Sequence, residues 1–201
     1  MSENKTPTLP TINEPPKLPT LAELFEDSIE VAGKSEGLNA ILNTQPPEKW
    51  VKVHPMIPDW KYIPIDKVEF LLRKIFKRYR IEVLKTGMLM NAVEVTVRVH
   101  YFNPATGDMD FQDGVGAQEL QTKKETGALK MDMSNVNRGA VQMALPIAKS
   151  YAIKDACELI GNIFGGNLNR KDTIAFVPDQ EILSREEKRK ELLNQKKNVS
   201  K

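Results

Sequence analysis

From Ala92 to Phe102 the chain alternates without interruption. Val93, Val95, Val97, Val99 and Tyr101 fall on one side, and Glu94, Thr96, Arg98, His100 and Phe102 on the other. A period of two is that of a strand buried on one face. The next residues, NPATGD, supply Asn, Pro and Gly turn chemistry, and MDFQDGVGA returns as a second strand, so a hairpin is expected. Upstream, IEVLK reads as a further short strand.

Helical spacing flanks the strands. Val68, Leu71, Leu72, Ile75, Phe76 and Tyr79 recur every three or four positions, with Asp66 placed to cap the helix they define. Its other face carries Arg73, Lys74, Lys77, Arg78 and Arg80. A long helix is expected from about Asn137 to Ile163, with Val141, Ala144, Leu145, Ala148, Ala152, Ala156 and Ile160 along one side. Pro146 should kink it or begin a second helix. The glycines of GNIFGGNLN suit its end. The order helix, antiparallel strands, long helix is an α+β arrangement.

The ends read differently. Residues 1–19 hold five of the 13 prolines and are expected to form a disordered arm. Thr20 to Glu23 resembles a capping box for a short acidic helix reaching about Val31, and GLNAILN a second short helix. Residues 45–64 are proline-broken but carry Trp50, Val53, Ile57 and Trp60, which can feed a core. After Pro178, Ser184 and Glu187 form another possible capping box. The charged helix that follows has too little apolar surface to fold alone. These features divide the chain into an arm (1–19), an acidic segment (20–59), a core (60–177) and a charged tail (178–201).

Composition narrows the class. With 201 residues, 40% hydrophobic content and a mean hydropathy of -0.41, the chain suits a globular domain. No apolar run reaches the length of a spanning helix, and no secretory pattern opens the chain. The single Cys157 fits a reducing cytoplasm. Net charge is only +2, so any case for nucleic acid rests on local clusters.

Cofactor and catalytic signals fail one by one. Gly114 and Gly116 begin a dinucleotide-like spacing, but Glu119 stands where the third glycine belongs. GNIFGGNLNR lacks the ending of a P-loop. Two histidines and one cysteine make poor zinc ligands, and Cys157 reads as a small buried thiol. Asp108, Asp110 and Asp113 around the hairpin serve turns; a nuclease-type cation would need an acid–lysine spacing that the segment lacks. The basic face at 73–80 is ordinarily just the solvated side of its helix. Lys123-Lys124 and Arg170-Lys171 are more suggestive, because both pairs lie where elements end and phosphates can approach. No cofactor, metal or catalytic residue is assigned.

Four segments, in order, resemble the Rad-fifty-two/Sak single-strand annealing proteins. YIPIDKVEFLLRKIF is similar to their first core helix, and VEVTVRVHYFNPATGDMDFQDGVGA to their central hairpin. QELQTKK is similar to the lysine-containing link, and AKSYAIKDACELIGNIFGGNLNRK to the long helix. The resemblance covers roughly residues 60–172. It implies a curved antiparallel sheet packed on a long helix, with flexible arms. It also implies subunits in rings or helical arrays, single-stranded DNA held along a basic groove, and annealing without nucleotide hydrolysis. Lys154 then matches the first of a groove pair, Lys123 and Lys124 the link, Lys171 a second contact, and Lys52 an upstream groove residue. Asp155 and Glu158 stand where arginines are expected, so contact would spread in part to residues such as Arg98, Arg138 or Lys149, besides the Arg170-Lys171 pair. The expected role is a DNA recombination and repair protein of a phage or prophage, cytoplasmic in a bacterial host. A single-strand binding protein or an exonuclease is its possible partner. The alternatives are an interaction protein without nucleic acid, or a metal-dependent nuclease.

Overall fold

The computed structural model describes residues 21–55, 57–123 and 133–199. The elements run α1 (Leu21–Leu42), β1 (Lys52–Val53), β2 (Lys61–Tyr62), α2 (Ile65–Phe76), β3 (Tyr79–Leu89), β4 (Ala92–Phe102), β5 (Met109–Glu119), α3 (Ala140–Glu158) and α4 (Gln180–Val199). The fold is α+β. An antiparallel meander, β3-β4-β5, packs on α3, and β1 and β2 form a separate two-stranded ribbon.

The alternating strand is the centre of the meander. Val93, Val95, Val97, Val99 and Tyr101 are buried, and their neighbours are only half-buried. Its partner β3 is longer than IEVLK: the full run Tyr79–Leu89 pairs with β4, with a bulge between Val83 and Lys85. The two join through Met90-Asn91, where Met90 takes φ 56°, the positive φ that a tight hairpin requires. On the other side Asn103 N–H donates to the Asp108 carbonyl at 2.8 Å, and Gly107 takes φ 85°. The NPATGD turn is therefore where the pattern put it.

β5 and α3 meet through small residues. Ala140, Ala144, Ala148, Ala152 and Ala156 are all buried, one stripe at a spacing of four. Opposite them, a Cβ on Gly114 would strike the Ala152 carbonyl, and one on Gly116 the Ala148 carbonyl. The glycine pair thus lets a strand lie almost on a helix backbone. The larger Val141 and Leu145, expected on the buried side, are exposed. Pro146 sits inside one continuous α3 and does not divide it.

Phe76 anchors the core, its ring 4.5 Å from Tyr101 and 6.5 Å from Phe164. Both phenylalanines are almost fully buried, and each such side chain contributes on the order of 1.5–3 kcal/mol. α2 buries Val68, Leu71, Leu72 and Phe76 as its spacing requires. Its cap is Pro64 rather than Asp66, which lies in the first turn and pairs with Lys67 at 2.9 Å. Tyr79 belongs to β3.

Three sequence expectations are corrected at the ends. The two short N-terminal helices are one, α1, and its Leu42 joins the same core as α2 and the meander. The segment before residue 60 therefore does not stand apart from the core. The C-terminal helix starts at Gln180: Asp179 Oδ1 accepts from the Glu181 and Ile182 amides at 2.9 and 3.2 Å, so Asp179 and not Ser184 is its cap. Nor is that helix left solvated. It packs on α1, with Glu186 buried over Gly33, Lys190 2.6 Å from Glu186 and Arg189 2.7 Å from Glu30. Charge and a glycine notch replace the missing apolar surface. The arm at 1–19 and Thr20 lie outside the described residues.

Candidate functional site

Where the β1–β2 ribbon, the outer edge of β5 and one face of α3 meet, they enclose an open groove of about 790 Å³. Tyr151, Lys154, Asp155 and Glu158 come from α3. Their spacing of three, four and seven places them on one helical face, beside the alanine stripe that faces the sheet. His54, Trp60 and Tyr62 come from the ribbon, and Val115 to Glu119 from β5. Asn169 fastens the ribbon in place: its amide donates to the Lys61 carbonyl at 2.8 Å and its carbonyl accepts from the Lys61 amide at 2.7 Å.

Lys154 is the groove's central cation. Its Nζ lies 4.8 Å from the Tyr62 ring centre and 4.6 Å from that of Tyr151, within cation–π range of both. Burial pulls its pKa below the usual lysine range, and the Glu158 charge opposes that. Asp155 accepts a hydrogen bond from the Val115 amide at 2.9 Å, which satisfies a donor on the open edge of β5. Glu158 stands at the exposed rim of the groove, yet its carboxyl is raised to about 7, first by partial loss of water on its groove side and then by the charge of Asp155; Lys154 and Arg170 pull it back. Among the described residues its carboxyl has no hydrogen-bond partner.

A second hollow of about 560 Å³ lies on the other side of β2. Lys61 and Arg170 line it, with Glu48 as its only carboxylate. Lys61 and Tyr62 are adjacent on β2, so their side chains point to opposite faces. The groove is therefore aromatic and acidic, and the adjoining hollow is basic.

The candidate basic residues separate into groups. Lys52 is the cross-strand partner of Tyr62, and Arg170, close enough to act on Glu158, lines the basic hollow with exposed Lys171 beside it. Lys52, Lys154 and Arg170 thus gather around the β1–β2 ribbon. Lys149 is on the other flank of α3, against Val83 and Thr86 of β3. Arg138 is exposed in the turn before α3. Lys123 donates to the Ser134 carbonyl at 2.9 Å and so helps close its own loop; Lys124 lies outside the described residues. Arg98 is on the open face of the sheet, in a two-pronged pair with Asp113 at 2.7 Å and 4.1 Å above Phe111. A phosphate there would have to displace a carboxylate that already fits.

The other candidates have structural partners. Asp113 is held by Arg98, and Asp110 accepts from the Asn103 amide at 2.9 Å. His100 Nε2 lies 3.0 Å from Glu82, and His54 Nδ1 accepts from the Ile57 amide at 3.2 Å. Cys157 is buried, which pushes its thiol far up. Arg73 reaches Glu69 and the Tyr79 hydroxyl from α2; the helix ends at Phe76, so Lys77, Arg78 and Arg80 lie beyond the face expected to carry them, and Arg80 reaches Glu82 along β3. Sequence reading did not single out Tyr62, Tyr151 or Lys61, and it gave Trp60 to the core with Trp50, Val53 and Ile57; only Trp50 packs there, and Trp60 is half exposed in the groove. The three-four-seven spacing from Tyr151 was a usable signal for part of the groove; the ribbon residues had none, because only the fold brings them there.

No helix among the described residues is long and apolar enough to cross a membrane. The chain matches no protein-family model, and no curated protein matches it significantly.

Proposed function

We propose that this protein binds single-stranded DNA in the groove and hollow on either side of β2, and anneals complementary strands. The observation that carries the reading is Lys154, set between the rings of Tyr62 and Tyr151 in an open groove that also holds Trp60 and His54. Aromatic faces beside a cationic track are how proteins hold single strands with little regard to sequence. Each base stacked on a ring contributes about 1–3 kcal/mol.

The charge pattern supports a division of labour. Phosphates pass the basic hollow of Lys61 and Arg170, with Lys171 next to Arg170 in the chain, while bases reach the aromatic groove. One chain offers few phosphate contacts, so useful affinity requires an array of subunits, whose weak contacts add along one strand. The exposed Val83, Met88 and Leu145 on β3 and α3 supply an apolar flank for such assembly. Annealing by this route needs neither cofactor nor nucleotide. Its setting would be the recombination of a phage or prophage genome in a bacterial cytoplasm, with a single-strand binding protein or an exonuclease as partner.

The test is annealing itself. Two complementary oligonucleotides carrying a donor and an acceptor dye are mixed with the protein, without magnesium or nucleotide. Pairing well above the spontaneous rate supports the proposal. A rate equal to the protein-free control removes annealing from it, and strand cleavage on adding magnesium would favour the nuclease alternative.

A further inference from the structure

The groove and the hollow differ in the sign of their charge, and that difference has a chemical use. Around the groove stand one cation, Lys154, and three carboxylates, Glu119, Asp155 and Glu158. A phosphate has little reason to enter so acidic a site. A nucleobase does: it carries no net charge, it stacks on tyrosine or tryptophan, and its edge offers N–H donors. Resting on the single-strand reading above, we infer that the groove takes an unstacked base and that Glu158 reads its edge, favouring guanine.

Glu158 differs from Glu119 in standing on the same face of α3 as Tyr151 and Lys154, and from Asp155 in having its carboxyl uncommitted. Asp155 is already committed to the Val115 amide, whereas Glu158 has no hydrogen-bond partner among the described residues and lines the groove one helical turn beyond Lys154. An ionised carboxylate only accepts hydrogen bonds, with two oxygens side by side. The Watson–Crick edge of guanine presents N1–H and the N2 amino group side by side, a two-pronged match. Adenine and cytosine offer an amino group next to an acceptor nitrogen. Thymine offers one N–H between two carbonyls, which repel the carboxylate's second oxygen. The expected order is guanine, then adenine and cytosine, then thymine.

The selection should also depend on pH, because a protonated Glu158 is no longer a pure acceptor. Its carboxyl ionises near 7. Around it stand Lys154 and Asp155 on its own helix, Glu119 on β5, His54 on the ribbon and Arg170 beyond α3. Any charge gained or lost by the others acts on all strands through their phosphates. The ratio between strands, not the affinity itself, isolates Glu158.

The experiment uses the full chain and three labelled oligonucleotides of equal length, in lithium buffer so that guanines stay single: repeating thymine–guanine, repeating thymine–inosine, and oligo-thymine. Inosine lacks the N2 amino group. At about pH 8.5 the guanine strand should bind about fivefold tighter than oligo-thymine, the low end of discrimination by a good side-chain–base pair, with inosine between. At about pH 6, and in Glu158→Leu at either pH, the ratio should fall to within about twofold. Far-ultraviolet circular dichroism establishes that the variant is folded, and the wild-type pH series gives the answer independently if it is not. Equal binding of all three strands at high pH overturns the inference, as does a guanine preference that survives both Glu158→Leu and acid. Either result leaves the single-strand reading standing. Failure of the wild type to bind any of the three strands overturns both.

Discussion

Replacing Gly116 by alanine tests the contact on which the groove is built. An added Cβ would sit 2.9 Å from the Tyr151 Cβ and closer still to the Ala148 carbonyl and the Ala152 amide. Ordinary carbon contacts begin near 3.5 Å, so the strand and α3 must separate by roughly 0.6 Å or more. The opposing atoms are helix backbone and cannot rotate away. Overpacking of this kind costs about 1–3 kcal/mol, and the upper half applies where backbone meets backbone. Lower entropy of the unfolded chain returns about 0.4–1 kcal/mol. The net is a loss of about 1–2.6 kcal/mol, or about 2–10 °C in Tm for a chain of this size. Gly37 provides the control: it lies inside α1 with nothing within 4 Å of its would-be Cβ, so Gly37→Ala should stabilise by about 0.5–1 kcal/mol. Urea unfolding of both variants beside wild type decides the matter. A Gly116→Ala protein as stable as wild type would show that α3 does not lie against β5 as described.

Deleting residues 178–201 should lower Tm and expose α1 to proteolysis, because Arg189 and Glu186 would leave Glu30 and the Gly33 notch uncovered; an unchanged melting curve would contradict the α1–α4 contact. Glu158→Gln should be neutral below about pH 4.5 and stabilising above about pH 7. Folding raises this acid's pKa, so the wild type's cost is absent in acid, grows as pH rises and is complete above the folded value. After allowance for solvent screening the gain is roughly 1–2 kcal/mol, and stability that does not change with pH relative to wild type would refute it. Lys123→Ala should cost oligonucleotide affinity less than Lys154→Met, since Lys123 is tied to Ser134 and lies away from the groove; anisotropy titrations showing the reverse order would move the binding track to the loop.

The readable parts of the chain were those whose pattern and packing coincide. β4 alternates because one of its faces is buried along its full length, and the NPATGD turn uses residues that any such turn uses. α3 was legible as a helix, and Ala144, Ala148, Ala152 and Ala156 were read on its buried side as the structure has them; Val141 and Leu145, read on that side too, are exposed. Val141 and Leu145 are the more hydrophobic residues, yet the alanines face the sheet, because Gly114 and Gly116 leave room only for a methyl group. β3 was underestimated because Lys85, Thr86 and Gly87 interrupt its pattern; pairing with β4 holds them in the strand. α4 could not be read as packed, since its anchor is a buried glutamate over a glycine and two ion pairs, which look like solvated charge in a sequence. In the groove, Lys154 was reached through family resemblance and its stacking partners were not. Tyr62 and Tyr151 are 89 residues apart, and nothing local announces that they share a cation.

The account stands most directly on one binding measurement. A labelled single-stranded oligonucleotide is titrated with wild type, Lys154→Met and Tyr62→Ala/Tyr151→Ala, followed by anisotropy at several salt concentrations, with unlabelled duplex as competitor. The account predicts binding that duplex competes for poorly and that weakens steeply with salt. Losing the ring pair should reduce affinity at every salt concentration with little change in slope, because stacking is not a counterion effect. Wild type that fails to bind, or binding that is indifferent to both Lys154 and the ring pair, would contradict the claim that this groove is where the protein holds single-stranded DNA.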